Sequence, residues 1–155
     1  MKIKELMSTN IVCVGQDSTV SLVAGHMRKN NVGSLPVCDD AGHIKGIITD
    51  RDLVIRAIAK PLTGNSNGSN ESTDKELTAG DIMTKNPVTV SPDQSIHDAA
   101  LLFAAHKIRR LPVTEASKII GMLSLGDVAV KPVYIDEAGD ALSSISLADG
   151  LQAKS

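Results

Sequence analysis

The sequence predicts a mixed α/β (α+β) protein built from two copies of one β-α-β-β-α unit. Three observations carry that prediction. The chain matches itself at a separation of 76 residues, with Met7 falling on Met83. Hydrophobic spacing alternates between strand and helix periods in the same order in both copies. Each copy also ends a strand on a hydroxyl residue with Asp three places later, Thr49/Asp52 and Ser124/Asp127, which reads as a helix start.

The match is continuous. Met7-Ser8-Thr9-Asn10-Ile11-Val12-Cys13-Val14 lines up with Met83-Thr84-Lys85-Asn86-Pro87-Val88-Thr89-Val90, and Leu35-Pro36-Val37 with Leu111-Pro112-Val113. After a one-residue gap, Gly46 falls on Gly121 and Asp52 on Asp127.

Within each copy, Val12 and Val14 alternate with Cys13, and Val88 and Val90 with Thr89, predicting a short first strand. Asp17-Ser18 and Ser91-Pro92-Asp93 supply N-cap chemistry for the first helix. That helix carries Val20, Val23, Ala24 and Met27 in one copy and Ile96, Ala99, Ala100 and Phe103 in the other. An apolar strand ending in Pro-Val follows, then a turn at Asp39–Gly42 or Glu115–Ser117. A last strand, Ile44–Thr49 or Ile119–Ser124, leads into the second helix.

The expected division is a first repeat at 1–60, a flexible linker at 61–77, a second repeat at 78–131 and a tail at 132–155 with room for a short helix. The linker contains Leu62 as its one large apolar residue before Glu76 and is rich in Gly, Ser and Asn.

Composition narrows the function. A formal net charge of −2 offers no general attraction to nucleic acid or an anionic membrane. Phe103 and Tyr134 are the only aromatics, too few for a base-stacking platform. No apolar run approaches the roughly 20 residues needed to span a bilayer. The start, Met1-Lys2-Ile3-Lys4-Glu5, does not read as a signal peptide, so the expected location is the cytoplasm. His26, His43, His97 and His106 lack metal-ligand spacing. No CxxC, HExxH, GxSxG or Walker A pattern occurs. The expectation is a protein without a catalytic or metal site.

Leu-Pro-Val, a turn, then Gly-h-h-Thr/Ser-x-x-Asp and a helix resembles the cystathionine-β-synthase (CBS) motif, and its tandem occurrence resembles a Bateman module, as in small stand-alone two-CBS-domain proteins. The resemblance implies two units packed through their sheets about a pseudo-two-fold axis, with two related clefts. It also implies pairing into a homodimer, and a regulatory ligand (AMP, ADP, ATP or S-adenosylmethionine) in place of a cofactor. It further implies a partner protein that the module regulates.

In that setting Thr49 and Asp52, with Ser124 and Asp127, become candidate contacts to phosphate or ribose at a helix N-terminus. The plainer reading is that they are helix caps. Arg109 and Arg110, just before the second Leu-Pro-Val, resemble the phosphate-holding basic residues of nucleotide-sensing members, and suit bidentate phosphate contacts. Arg51 is the first repeat's counterpart, Gly126 standing at its match. Lys107 and His106 read as surface residues. Val12, Cys13 and Pro36 are candidates for one adenine wall, and Val88, Thr89 and Pro112 for the other; ordinary core packing is the competing account.

Cys13 and Cys38 lie on strands that a right-handed crossover would place side by side. They read as two small hydrophobes in a reducing cytosol, with a redox-responsive pair or a soft metal site as the sharper alternative. A ligand-free interaction scaffold is the other rival. Leu101 and Leu102 lie outside the core stripe of their helix and would suit helix-to-helix dimerisation.

Overall fold

A computed structural model describes residues 1–59, 76–131 and 134–153, with side chains described to 147. The expected linker lies outside the described residues, apart from Glu76 and Leu77. The chain forms two compact units, Val12–Pro87 and Met1–Ile11 with Val88–Ser155. The units are therefore not the repeats: each unit includes the leading segment of the other repeat.

In the Val12–Pro87 unit, helix α1 (Val20–Asn30) precedes strands β1 (Ser34–Cys38) and β2 (Ile44–Thr49), an antiparallel pair. A short helix α2 (Asp50–Asp52) continues as a π-helical stretch (Leu53–Ile58). Helix α3 (Ala79–Ile82) and strand β3 (Thr84–Lys85) follow, and β3 completes the sheet in the order β1-β2-β3. The turn between β1 and β2 is held by Asp39 Oδ1, which accepts from Ala41 N and His43 N. Gly42 sits there at φ 86°, a backbone setting that suits glycine. Val14, Val23, Met27, Leu35, Val37, Ile48, Ala79, Ile82 and Met83 make the core.

The other unit repeats this plan. Its strands β4 (Arg110–Glu115) and β5 (Lys118–Ser124) pair antiparallel, and helix α4 (Ile96–His106) precedes them. Ala116 and Ser117 close the hairpin with φ of 50° and 66°, the left-handed values a two-residue primed turn demands. Helix α5 (Leu125–Ala129) follows β5. Ile3, Val90, Ile96, Phe103, Leu111, Val113, Leu123 and Val128 fill the core. Fully burying Phe103 contributes about 1.5–3 kcal/mol. Helix α6 (Ile135–Ala153) buries Ala138, Ala141 and Ile145 in the same cluster.

Four local expectations are corrected. The first strands shrink to single parallel bridges, Val14 with Val37 and Val90 with Val113. The caps of α1 and α4 are Thr19 and Ser95, not Asp17-Ser18 or Ser91–Asp93. Gly15 and Ser18 hydrogen-bond each other in a turn, as do Ser91 and Gln94. Backbone N–H groups just past the caps are pinned from outside: Val20 N donates to Leu77 O and Ile96 N to Met1 O. Ala24 is exposed, off the buried stripe of α1. Leu102 is half-buried against the core, whereas Leu101 is exposed, so the two do not form one free apolar face.

Candidate functional site

In the Val12–Pro87 unit the candidate residues gather around the end of β2. Ser34 pairs with Thr49 across the ladder, and Asp50 N donates to Gly33 O at 2.9 Å. Thr49 and Asp52 form a reciprocal capping box: Asp52 N donates to Thr49 Oγ1 at 3.2 Å, and Thr49 N to Asp52 Oδ2 at 2.9 Å. Arg51 is exposed on α2. Val14 N donates to Pro36 O at 3.1 Å, which lays the end of the Val12–Val14 segment along β1. Pro36 is buried, Val12 half-buried and Cys13 exposed.

The second unit builds the same arrangement with more positive charge. Arg110 pairs with Ser124 in the β4–β5 register, and Leu125 N donates to Arg109 O at 3.0 Å. Both arginines are exposed beside the start of α5. Ser124 and Asp127 form the matching box, Asp127 N to Ser124 Oγ at 3.0 Å and Ser124 N to Asp127 Oδ2 at 2.9 Å. Val90 N donates to Pro112 O at 3.0 Å, so the Val88–Val90 segment follows β4. Pro112 is buried, Val88 half-buried and Thr89 exposed.

The helix-start N–H groups expected to await phosphate are largely used within the fold. Asp50 N, Arg51 N and Asp52 N donate to Gly33 O, Asp50 Oδ1 and Thr49 Oγ1. The capping account of Thr49, Ser124 and the two aspartates therefore holds. It does not exhaust them, because a hydroxyl that accepts keeps a proton to donate, and each carboxylate oxygen has two lone pairs.

The two carboxylates differ. Asp52 Oδ1 lies 3.6 Å from Arg56 Nε, and Arg56 also donates to Ile82 O at 2.9 Å. The sequence reading missed Arg56, although an acid followed four residues later by a base was the available signal. Among the described residues, Asp127 Oδ1 has no protein partner.

A groove of about 650 Å³, also unforeseen, runs between α1 and the π-helical stretch. Val20, Ala24, Leu53, Val54, Ala57 and Ile58 supply its apolar lining, and Val54 and Ile58 are largely exposed.

Cys13 and Cys38 flank the parallel Val14–Val37 bridge, on neighbouring segments of one unit. Their shared hydrogen bond lowers the Cys13 thiol below its ordinary range, opposed by burial, and the same bond plus burial raises that of Cys38. Among the described residues, no three His, Cys, Asp or Glu side chains gather as a metal site, and no described helix is long and apolar enough to cross a membrane.

Comparison with known proteins accords with this plan. The CBS domain family model matches residues 3–58 and 79–132. The CBS domain-containing protein YhcV of Bacillus subtilis is 33% identical over 144 residues, covering 93% of this chain and 94% of its own. The crystal structure of CBSX2, an Arabidopsis thaliana CBS-pair protein, in complex with AMP has a TM-score of 0.70 at 28% identity, covering 87% of this chain and 98% of that one. Hypoxic Response Protein I of Mycobacterium tuberculosis, solved with two coordinated zinc ions, also gives 0.70 at 28% identity, covering 84% and 98%. With two matched copies spanning most of its length, this chain belongs to the CBS domain family.

Proposed function

We propose that this chain is a regulatory module that binds an adenine nucleotide, AMP, ADP or ATP, in clefts formed by its two CBS repeats, and that it transmits occupancy to a partner protein instead of catalysing a reaction. The observation that carries this reading is the AMP complex of CBSX2, a relative of the same tandem plan. It is supported by the pairing of Arg110 with Ser124 in the β4–β5 register, which sets an exposed arginine next to the Ser124–Asp127 capping box at the start of α5. Arg109 and Arg110 suit phosphate, and Asp127 suits two ribose hydroxyls. Val88, Thr89 and Pro112, with Val12, Cys13 and Pro36 in the other unit, offer aliphatic walls for a base.

Titration calorimetry of the full chain against AMP, ADP, ATP, adenosine and S-adenosylmethionine tests the reading. Saturable binding of at least one nucleotide supports it, and no heat or thermal shift with any of them overturns it. The apolar groove beside α1 favours a homodimer packed through helices; a single 16 kDa species in sedimentation at micromolar concentration would refute that part alone.

A further inference from the structure

Val14 and Val37 form a parallel bridge, with Val14 N donating to Pro36 O at 3.1 Å and Cys38 N to Val14 O at 2.9 Å. Strand alternation sends both valines into the core and turns their neighbours Cys13 and Cys38 to the other face. The parallel register sets Cys13 beside Pro36 and Cys38 beside Gly15, so the two thiols are diagonal neighbours on that face. Cys13 is exposed, whereas Cys38 is buried in the wall of a cavity of about 540 Å³ that Gly15, Gln16, Asp17 and Asp39 also line. An accessible thiol beside a sheltered one is the arrangement of an attacking and a resolving cysteine.

We propose that Cys13 and Cys38 are a peroxide-oxidised thiol pair, forming an intramolecular disulfide that ties the segment before α1 to β1. The Cys13 thiolate attacks one oxygen of a hydroperoxide. The O–O bond breaks, the other oxygen leaves as water or an alcohol after taking a proton, and Cys13 becomes a sulfenic acid. The Cys38 sulfur then attacks the Cys13 sulfur. An S–S bond forms, the S–O bond breaks, and the departing hydroxide takes the Cys38 proton as water. Two thiols lose two electrons and the peroxide gains two.

The hydrogen bond from Cys38 favours the Cys13 thiolate, which is the reactive form. Among the described residues no third ligand gathers with the two thiols, which suits this chemistry better than a metal site. The bridge encloses the whole of α1 in one covalent loop, so it restricts the unfolded chain and stabilises the folded unit. None of this depends on nucleotide binding.

The test treats the full chain with a slight excess of hydrogen peroxide, then applies intact-mass analysis, peptide mapping without reductant and a thermal melt. The expected result is loss of two hydrogens in mass and a linked pair of Cys13 and Cys38 peptides. The melting midpoint should rise by about 5 °C or more and return with dithiothreitol. Cys38→Ser should leave Cys13 carrying added oxygen, or linked between chains, without that rise. Oxygen addition at Cys13 in the unaltered chain, with Cys38 still alkylated after unfolding, would overturn the proposal. So would disulfides found only between chains.

Discussion

Met83 lies directly over Gly46: a β-carbon at Gly46 would fall 2.5 Å from the Met83 sulfur and 2.8 Å from the Thr84 carbonyl oxygen. The other unit repeats the contact, with Gly121 beneath Met7 at 2.5 Å and Ser8 O at 3.1 Å. The glycine of the Gly-h-h-Thr/Ser motif is thus the floor on which the leading segment of the other repeat lies. Met83 can rotate, but a backbone carbonyl held by the β2–β3 ladder cannot easily withdraw. Gly46→Ala and Gly121→Ala should each destabilise the protein by about 1–3 kcal/mol through overpacking. Urea unfolding measures this, and alanine variants as stable as the parent would mean that β3 and the Ser8 segment are loosely seated.

Because Asp52 and Asp127 complete the capping boxes of Thr49 and Ser124 as well as being candidate ribose contacts, alanine would confound the two roles. Asparagine separates them, since its side-chain oxygen can still accept from the N-cap N–H of Thr49 or Ser124 while the charge is removed. Asp127→Asn should leave the melting temperature nearly unchanged and weaken adenosine-containing ligands by about 1–3 kcal/mol, the scale of a lost charged hydrogen bond. Asp52→Asn should cost more stability than Asp127→Asn, because it also loses the ion pair with Arg56. Calorimetry on both variants decides; unchanged affinity in each would remove the ribose role.

Arg109 and Arg110 stand beside Ser124, so their charge should favour phosphorylated ligands over adenosine and fade as salt rises. Arg109→Ala should abolish most of the preference for ATP or AMP while leaving adenosine binding nearly intact. Equal losses for adenosine and ATP would indicate a damaged fold and not a phosphate contact.

The Asp39 carboxylate accepts the His43 backbone N–H at 2.8 Å and faces His43 Nδ1 at 3.1 Å. These bonds, the backbone one foremost, hold its pKa below the ordinary carboxylate value. A carboxyl group lowered in the folded state stabilises the fold above its unfolded pKa of about 3.9. That contribution is lost as pH falls through the lower folded value. Asp39→Asn should therefore be less stable than the parent at neutral pH, with the gap closing under strong acid. A gap of the same size at both pH values would show that charge is not what stabilises this turn.

The sequence by itself determined the repeat, the strand pairs ending at Thr49 and Ser124, the caps at those residues and the approach of Cys13 to Cys38. All of these rest on short-range rules: alternation along a strand, hydroxyl-and-acid spacing at a helix start, and the handedness of a strand–helix–strand crossover. Only the tertiary structure decided which unit each leading segment joins. Ser8 pairs with Met122, and Thr84 with Ile47, although each belongs by sequence to the other repeat. Because the repeats are near copies, each segment could satisfy the same local pattern on either sheet, and periodicity cannot choose between them. The caps fall at Thr19 and Ser95, and beside them Leu77 and Met1 supply carbonyls to the first helical N–H groups, partners that local spacing does not reveal. Arg56 escaped the sequence reading for a related reason: its value lies in reaching Asp52 and the carbonyl of Ile82 together, and that second partner is near only once the chain has folded.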